Sequence, residues 1–443
     1  MMPRANHLET EECPWGWKWR SSYWFVTFVM WLGTLVDILC FALSIPVIPF
    51  QLKALGYKDV ASLTGWLMFA YSAGSVGSSV PVAIWSEMKH TRKVPYVTGV
   101  LMLMVSQIIF MEAPYYWVMC LARCIQGVGT GTRLVVGLAM LCDRSPSEVF
   151  GRQLGIAMSG GLLGMFLGAP IGGPLYARFG FHGPFIFGAI VSLPDLVLRL
   201  LVIGEGDASR PPSSLVISNH ILGNNIVRSE AEVSLIRAFR LLLQSHRALG
   251  AAGVTVIISM IDTMLLPVLP SHLNHVWGLD ASKVGLVILA VIVPSVFAPP
   301  IVGWFADRFG VPAVIIATSI FAMPWYTVLI LEAHLSLFVV VDACATFFAA
   351  GLGTLVPTEL AFVARTTDGV GYAHVYALYN FAFGIGSLAG PVVGGQMYDA
   401  IAKGWMAICF TVVGLLAFCV VATFFFLGEK PVGRGLLQRI RRR

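Results

Sequence analysis

The chain has little charge. Of its 443 residues only 12% are Asp, Glu, Lys or Arg, about half the share of an ordinary soluble domain. With 57% apolar residues and a mean hydropathy of +0.80, a water-soluble globular protein is excluded. Cysteine is scarce and unpatterned. The eight Cys fall mostly in apolar segments, without the paired spacing of a disulfide framework or a zinc site. The nine His form no metal-spaced cluster, and a solvated surface role is expected for each. No Gly-x-x-x-x-Gly-Lys-Ser/Thr loop is present to cradle a nucleoside triphosphate, and no nucleophile–base set has a recognisable spacing. We therefore expect no enzyme, no cofactor and no metal. The chain has no Asn-x-Ser/Thr sequon, and residues 1–22 are too charged for a cleavable signal peptide.

Apolar length is what the chain does have. Twelve segments, near 23–49, 61–85, 94–111, 115–141, 150–176, 183–203, 249–271, 283–306, 311–331, 334–363, 371–398 and 404–427, read as membrane-spanning helices. Each is long enough to cross a hydrocarbon core of ~30 Å at ~1.5 Å per residue. The expected fold is an all-α membrane protein with two six-helix bundles. Its parts are a leader at 1–22, bundles at 23–203 and 249–427, a linker at 204–248 and a basic tail at 428–443. Within the linker, Val233, Ile236, Phe239 and Leu243 recur at helical spacing, as in an amphipathic helix lying on a membrane surface. With the N-terminus inside, 22 of the 29 Lys and Arg fall on the cytoplasmic side, counting Arg199. Only Lys53, Lys58, Arg178, Lys283 and Lys403 fall on the other, and Arg123 and Arg133 lie within a span. This bias places both termini in the cytoplasm. It also explains the net charge of +6 without nucleic acid as a partner.

The chain repeats itself once. Ser44-Ile45-Pro46-Val47-Ile48-Pro49 returns as Leu265-Leu266-Pro267-Val268-Leu269-Pro270. Ser86-Glu87 returns as Ala306-Asp307, and Gly168-Ala169-Pro170-Ile171-Gly172-Gly173 as Gly390-Pro391-Val392-Val393-Gly394-Gly395. The shifts are half the chain length and the order is kept, which means two homologous halves. In a membrane protein that pattern points to a transporter with its site between the halves. Spans 5 and 11 carry small-residue ladders, Gly160, Gly164, Gly168, Gly172 and Gly386, Gly390, Gly394. Each strips one helix face so that another helix can approach. The ladders are expected to pack the two halves together as they rock, with Pro170 and Pro391 softening the helices at that seam.

Several motifs resemble those of the major facilitator superfamily, over almost the whole chain. Gly303, Asp307, Arg308 and Gly310 after span 8 are similar to that family's signature loop. Ala83, Glu87, Lys89, Arg92 and Lys93 after span 2 look like a degraded copy. Arg123-Cys124-Ile125-Gln126-Gly127-Val128-Gly129 in span 4 matches its Arg-x-x-Gln-Gly-x-Gly motif. Gly155, Gly164, Gly168, Pro170, Gly172 and Gly173 in span 5 resemble the signature of its proton-coupled antiporters. Asp37 ahead of Pro46-x-x-Pro49, and Val375 to Phe383 in span 11, resemble the vesicular-amine-transporter-like branch of the drug:proton antiporters, and its fungal efflux carriers in pattern. Vesicular amine transporters carry acids where this chain has Leu266 and Asn380, and a Lys where it has Tyr71. Both partners of a family acid–Lys pair are thus absent together.

Charge inside the membrane is costly, so each such residue is a functional candidate. Asp37, Arg123, Arg133, Asp262, Asp342 and Glu359 fall on spans 1, 4, 7 and 10, which line the central cavity in the resembled fold. Asp37 is expected to exchange protons, with Arg123 as its ion-pair partner. Asp262 and Glu359 are alternative proton sites, while Asp342 is expected near a hydrated outer mouth. Asp195 is expected at the end of span 6. Phe41, Gln126, Met260, Met264, Tyr379 and Asn380 are the candidate cavity residues. The expected function is proton-coupled efflux of an amphipathic organic compound such as a drug or toxin. The alternatives are proton-coupled uptake of a small nutrient, and a non-transporting sensor on the same fold. The expected setting is the plasma membrane, or else a vacuolar or vesicular one, with the protein a monomer whose partners are its substrate, protons and lipid.

Overall fold

The computed structural model describes residues 17–20, 22–88, 92–144, 150–202, 241–366 and 372–428, and among these every regular element is a helix. In the first half, span 1 runs Tyr23–Ser44 and continues as Ile48–Ala54. Spans 2 to 6 are Val60–Met88, Lys93–Met111, Tyr116–Arg144, Phe150–Phe179 and His182–Leu201. In the second half, span 7 is His246–Met264 with Leu269–Trp277, and span 8 is Ala281–Ser295 with Ala298–Phe309. Spans 9 to 12 are Val311–Val328, Leu335–Thr366, Tyr372–Ala400 and Gly404–Phe426. Ten of these units are long and apolar enough to cross a membrane by composition alone. Spans 2 and 4 are the other two. Both are 29 residues long, and span 4 is more polar because it carries Arg123, Gln126, Thr130, Thr132 and Arg133. The expected linker helix lies outside the described residues as far as residue 240.

The Pro-x-x-Pro repeats break spans 1 and 7 at matching places. The first helix of each stops at Ser44 and Met264, and the second begins at Ile48 and Leu269. Pro lacks an N–H and crowds the preceding turn, so the helix yields there. Inside spans 5 and 11 the helix instead runs unbroken through Pro170 and Pro391. His272, just past the span 7 break, is not solvated. It is buried, stacks on Trp405 at 3.9 Å, and has Nδ1 3.4 Å from the Tyr398 hydroxyl.

The glycine ladders serve a different interface from the one expected. Gly160, Gly164, Gly168 and Gly172 of span 5 lie against the backbone of span 1 at Trp31, Leu35, Leu39 and Leu43. Gly386, Gly390 and Gly394 of span 11 lie likewise against Val256, Met260 and Met264 of span 7. Both ladders therefore hold a bundle together from within. The seam between bundles is made by the neighbouring residues. Gly173 meets Ala281 of span 8, and Gly395 meets Ala61 of span 2. Gly285 meets Ala169, and Gly65 meets Pro391. One helical residue is a turn of ~100°, so adjacent glycines face different neighbours. Gly65 and Gly285 also stand at the shift of the other repeats.

The bundles are tied at one end, the end that carries Lys53. There Lys53 donates to Asn274 at 2.9 Å, and these residues are also equivalent by the repeat. The Ser62 N–H, in the first turn of span 2, donates 2.6 Å to the Asp399 carboxylate of span 11. In the second half the equivalent N–H, of Lys283, is capped locally by Asp280 at 2.8 Å. The first half has Asp59 at that place, yet takes its cap from the other bundle. Asp399 is thus a latch across the seam. Charge-assisted bonds contribute ~1.5–3 kcal/mol. Asp399→Ala should therefore raise, roughly tenfold, the modification rate of a cysteine placed at Ser271, which lines a cavity of about 250 Å³ between the bundles at this end. An unchanged rate would show that the bond holds nothing shut.

Candidate functional site

In the first bundle the intramembrane charges are paired. Asp37 of span 1 forms a buried ion pair with Arg133 of span 4. Thr130, one turn before Arg133, donates to the same carboxylate oxygen at 2.9 Å. Arg133 also donates to the carbonyls of Gly33 and Gly129, each at 3.2 Å. Its aliphatic stem crosses Gly99 of span 3, where a side chain would collide with it. Asp37 therefore pairs with Arg133 and not with the expected Arg123. Arg123 donates 2.6 Å to Gln126, and its guanidinium lies 4.7 Å from the Phe110 ring centre. The reason is geometric: ten residues along a helix are ~15 Å, and they turn the side chain to another face. Gln126 is buried with Arg123, so it belongs to that contact and not to a cavity wall.

A second buried pair sits beside the first. Asp195 and Arg199 of span 6 are joined at 2.9 Å, and Arg199 also donates to the Tyr96 carbonyl at 3.0 Å. Its guanidinium lies 4.0 Å from the Tyr96 ring centre. Arg199 is therefore a core residue and carries no weight as a cytoplasmic surface charge. Asp195 is equally enclosed and does not sit at an open helix end.

The second bundle is arranged differently. Asp262 of span 7 and Asp342 of span 10 both lie within electrostatic reach of Tyr326 on span 9. Tyr379 of span 11 is also near Asp262. Among the described residues neither acid has an ion-pair partner. Asp262 is accessible, whereas Asp342 is 3% exposed with its Oδ2 unpartnered. Asp342 therefore does not occupy a hydrated mouth; its helix turns it inward against span 9. Glu359 is not a cavity residue either. Its Oε1 accepts from Arg247 Nε at 2.7 Å and from the Gly428 N–H at 2.8 Å. It clamps the start of span 7 and the chain after span 12, because Glu359 lies near the last turns of span 10.

The apolar candidates divide. Phe41 stacks on Tyr71 with ring centres 4.7 Å apart, next to Asp37. Tyr379 and Met260 are half-buried and Asn380 is exposed. Met264 is fully buried beneath Gly390 and Gly394, so it packs spans 7 and 11 and lines no cavity. Tyr71 is the residue sequence reasoning undervalued. At the signature loops, the Glu87 side chain lies outside the described residues. Arg92 and Lys93 open span 3. Asp307 and Arg308 are exposed, with Arg308 over the Trp304 and Phe309 rings at 5.8 and 5.9 Å, and nothing approaches Gly303 closely.

Comparison with known proteins fits this architecture. The family model described as Major Facilitator Superfamily matches residues 30–259 and 251–441. The chain is 24% identical to the MFS-type transporter ppzB of Metarhizium rileyi, over 96% of this chain and 99% of the relative. It is 25% identical to the synaptic vesicular amine transporter of Rattus norvegicus, over 76% of this chain and 61% of that protein. Among solved structures, a bacterial homologue of the human lysosomal transporter Spinster superposes with a TM-score of 0.66 at 15% identity, covering 90% and 94% of the two chains. A D-xylose–proton symporter superposes with a TM-score of 0.68 at 14% identity, covering 92% and 98%. Two repeated six-helix bundles meeting at a glycine seam, matched by that family model in both halves, place this chain in the Major Facilitator Superfamily, whose members are secondary transporters and not enzymes.

Proposed function

We propose that this protein exports an amphipathic organic compound in exchange for protons. The observation that carries the reading is the buried Asp37–Arg133 pair with Thr130, at the Phe41–Tyr71 aromatic wall. A carboxylate there can change its protonation during a transport cycle, whereas an Arg cannot, so Arg133 serves as a fixed charge against which the acid is set. Asp262 and Asp342 are the alternative proton carriers, because among the described residues no cation pairs with them. The accessible Asp262 beside Tyr379 favours a weakly basic compound over an anion, and the named amine-transporting relative supports the same choice.

The bundles are tied at the end bearing Lys53, Asn274 and Asp399, which the basic-residue bias assigns to the outside. Sealed there, the protein would load substrate from the cytoplasm, as export requires. The setting is the plasma membrane, with both termini and the linker cytoplasmic. The test is transport of neutral and cationic fluorescent amphiphiles in proteoliposomes under an imposed pH gradient. At least one compound should move against the direction of proton flow, and dissipating the gradient should slow it tenfold or more. Movement with the protons would identify an importer. Movement indifferent to the gradient would rule out proton coupling.

A further inference from the structure

Four charged groups of the first bundle form one unit around Gly33. The Gly33 carbonyl accepts from Arg133 at 3.2 Å. On its other side the absent side chain leaves room for the Arg199 guanidinium, and a Cβ there would lie 3.3 Å from Asp195 Oδ1. Two guanidinium groups thus flank one residue of span 1. Arg133 is within electrostatic reach of both Asp37 and Asp195. Asp195 spends only one of its oxygens on Arg199. The other, Oδ2, is buried and has no hydrogen-bond partner. A buried acceptor left unmade is costly and asks for an explanation.

We propose that Asp195 is a positioning residue for proton coupling, taking over Arg133 when Asp37 becomes protonated. This rests on the reading of Asp37 as the coupling acid. A proton adds to the Asp37 carboxylate and makes a carboxylic acid. Arg133 keeps all its protons, gives up its bond to Asp37 Oδ1 and donates instead to Asp195 Oδ2. The unit gains one positive charge, the proton's own. Without a second acid, protonating Asp37 would strand a buried guanidinium, which is what makes breaking such a pair unfavourable. The groups facing Asp37 are Arg133 and Thr130 of span 4, Tyr71 of span 2 and Cys40 of span 1. Those facing Asp195 are Arg199 of its own span, Tyr96 of span 3, Arg133 of span 4 and Cys40 of span 1. Among the described residues, Arg133 is the cation the two sets share.

The test is an infrared pH titration of the purified full-length protein, without substrate. The carboxylic acid band of Asp37 is identified by its loss in Asp37→Asn. The double variant Asp195→Asn/Arg199→Gln removes one negative and one positive charge, so the net charge is kept. It should lower the Asp37 midpoint by about one pH unit, a tenfold weaker proton affinity. An unchanged midpoint overturns the proposal. A band that never appears overturns both the proposal and the assignment of Asp37 as coupling acid. Should the double variant not fold, a structure of Asp37→Asn decides, since Asn stands for the protonated acid. Arg133 within hydrogen-bond distance of Asp195 supports the exchange, and Arg133 still held at residue 37 excludes it.

Discussion

Arg133→Gln should cost more stability than Asp37→Asn, and the paired change Asp37→Asn/Arg133→Gln should recover folding without recovering transport. Removing one partner of a buried ion pair costs ~3–5 kcal/mol, mostly because the other charge is stranded. The two strandings are unequal here. Without Asp37, Arg133 still donates to the Gly33 and Gly129 carbonyls and to Thr130. Without Arg133, the Asp37 carboxylate keeps only the Thr130 hydroxyl. The paired change leaves two neutral amides and no stranded charge. Thermal denaturation in detergent should therefore rank the double variant above Arg133→Gln. Gradient-driven transport should be lost in all three: Asp37→Asn and the double variant have no acid at residue 37, and Arg133→Gln leaves Asp37 without the fixed charge against which it is set. Full proton-driven transport by Asp37→Asn would move the coupling acid to Asp262 or Asp342.

Gly172→Leu and Gly173→Leu, one residue apart, should fail in different ways. Gly172 lies on the Leu43 backbone of span 1, inside its own bundle. A Leu there must push two helices apart where backbone meets side chain. Overpacking costs ~1–3 kcal/mol in a soluble core, and the upper end applies against backbone, which cannot rotate away. Yield and thermal stability should drop. Gly173 faces Ala281 and Ser282 of the other bundle. Its Leu leaves each bundle intact but blocks the seam from closing. That variant should express normally, expose a cysteine at Ser271 to modification and lose net transport. The equivalent pair should divide the same way, with Gly394→Leu unfolding and Gly395→Leu holding the seam open. If Gly172→Leu and Gly173→Leu both unfold the protein equally, the division of labour between adjacent glycines is wrong.

The helices were legible in the sequence because apolar length is local, whereas the breaks in spans 1 and 7 were not. Apolar length sets a span, but proline alone does not mark a break: spans 1 and 7 are interrupted near Pro46 and Pro267, while spans 5 and 11 run through Pro170 and Pro391. The two halves were legible because their motifs recur in one order. The intramembrane charges were legible as candidates, since each is costly without a reason. Their partners were not. Span 4 offers Arg123 and Arg133, and its rotation and depth, set by packing against spans 1 and 3, decide that Arg133 meets Asp37. Glu359 became a clamp and Met264 a packing residue for the same reason: a helical wheel gives the angle between two residues but not which neighbour each faces. The glycine ladders showed that helices would touch closely, but not that Gly172 faces its own bundle and Gly173 the other. Asp399 on Ser62, bonded across 337 residues of chain, lies beyond any local pattern. Local physics determined the twelve spans. The pairing of charges and the sealing of one end were decided only when the bundles packed, because burial leaves a charge few partners and packing alone selects among them.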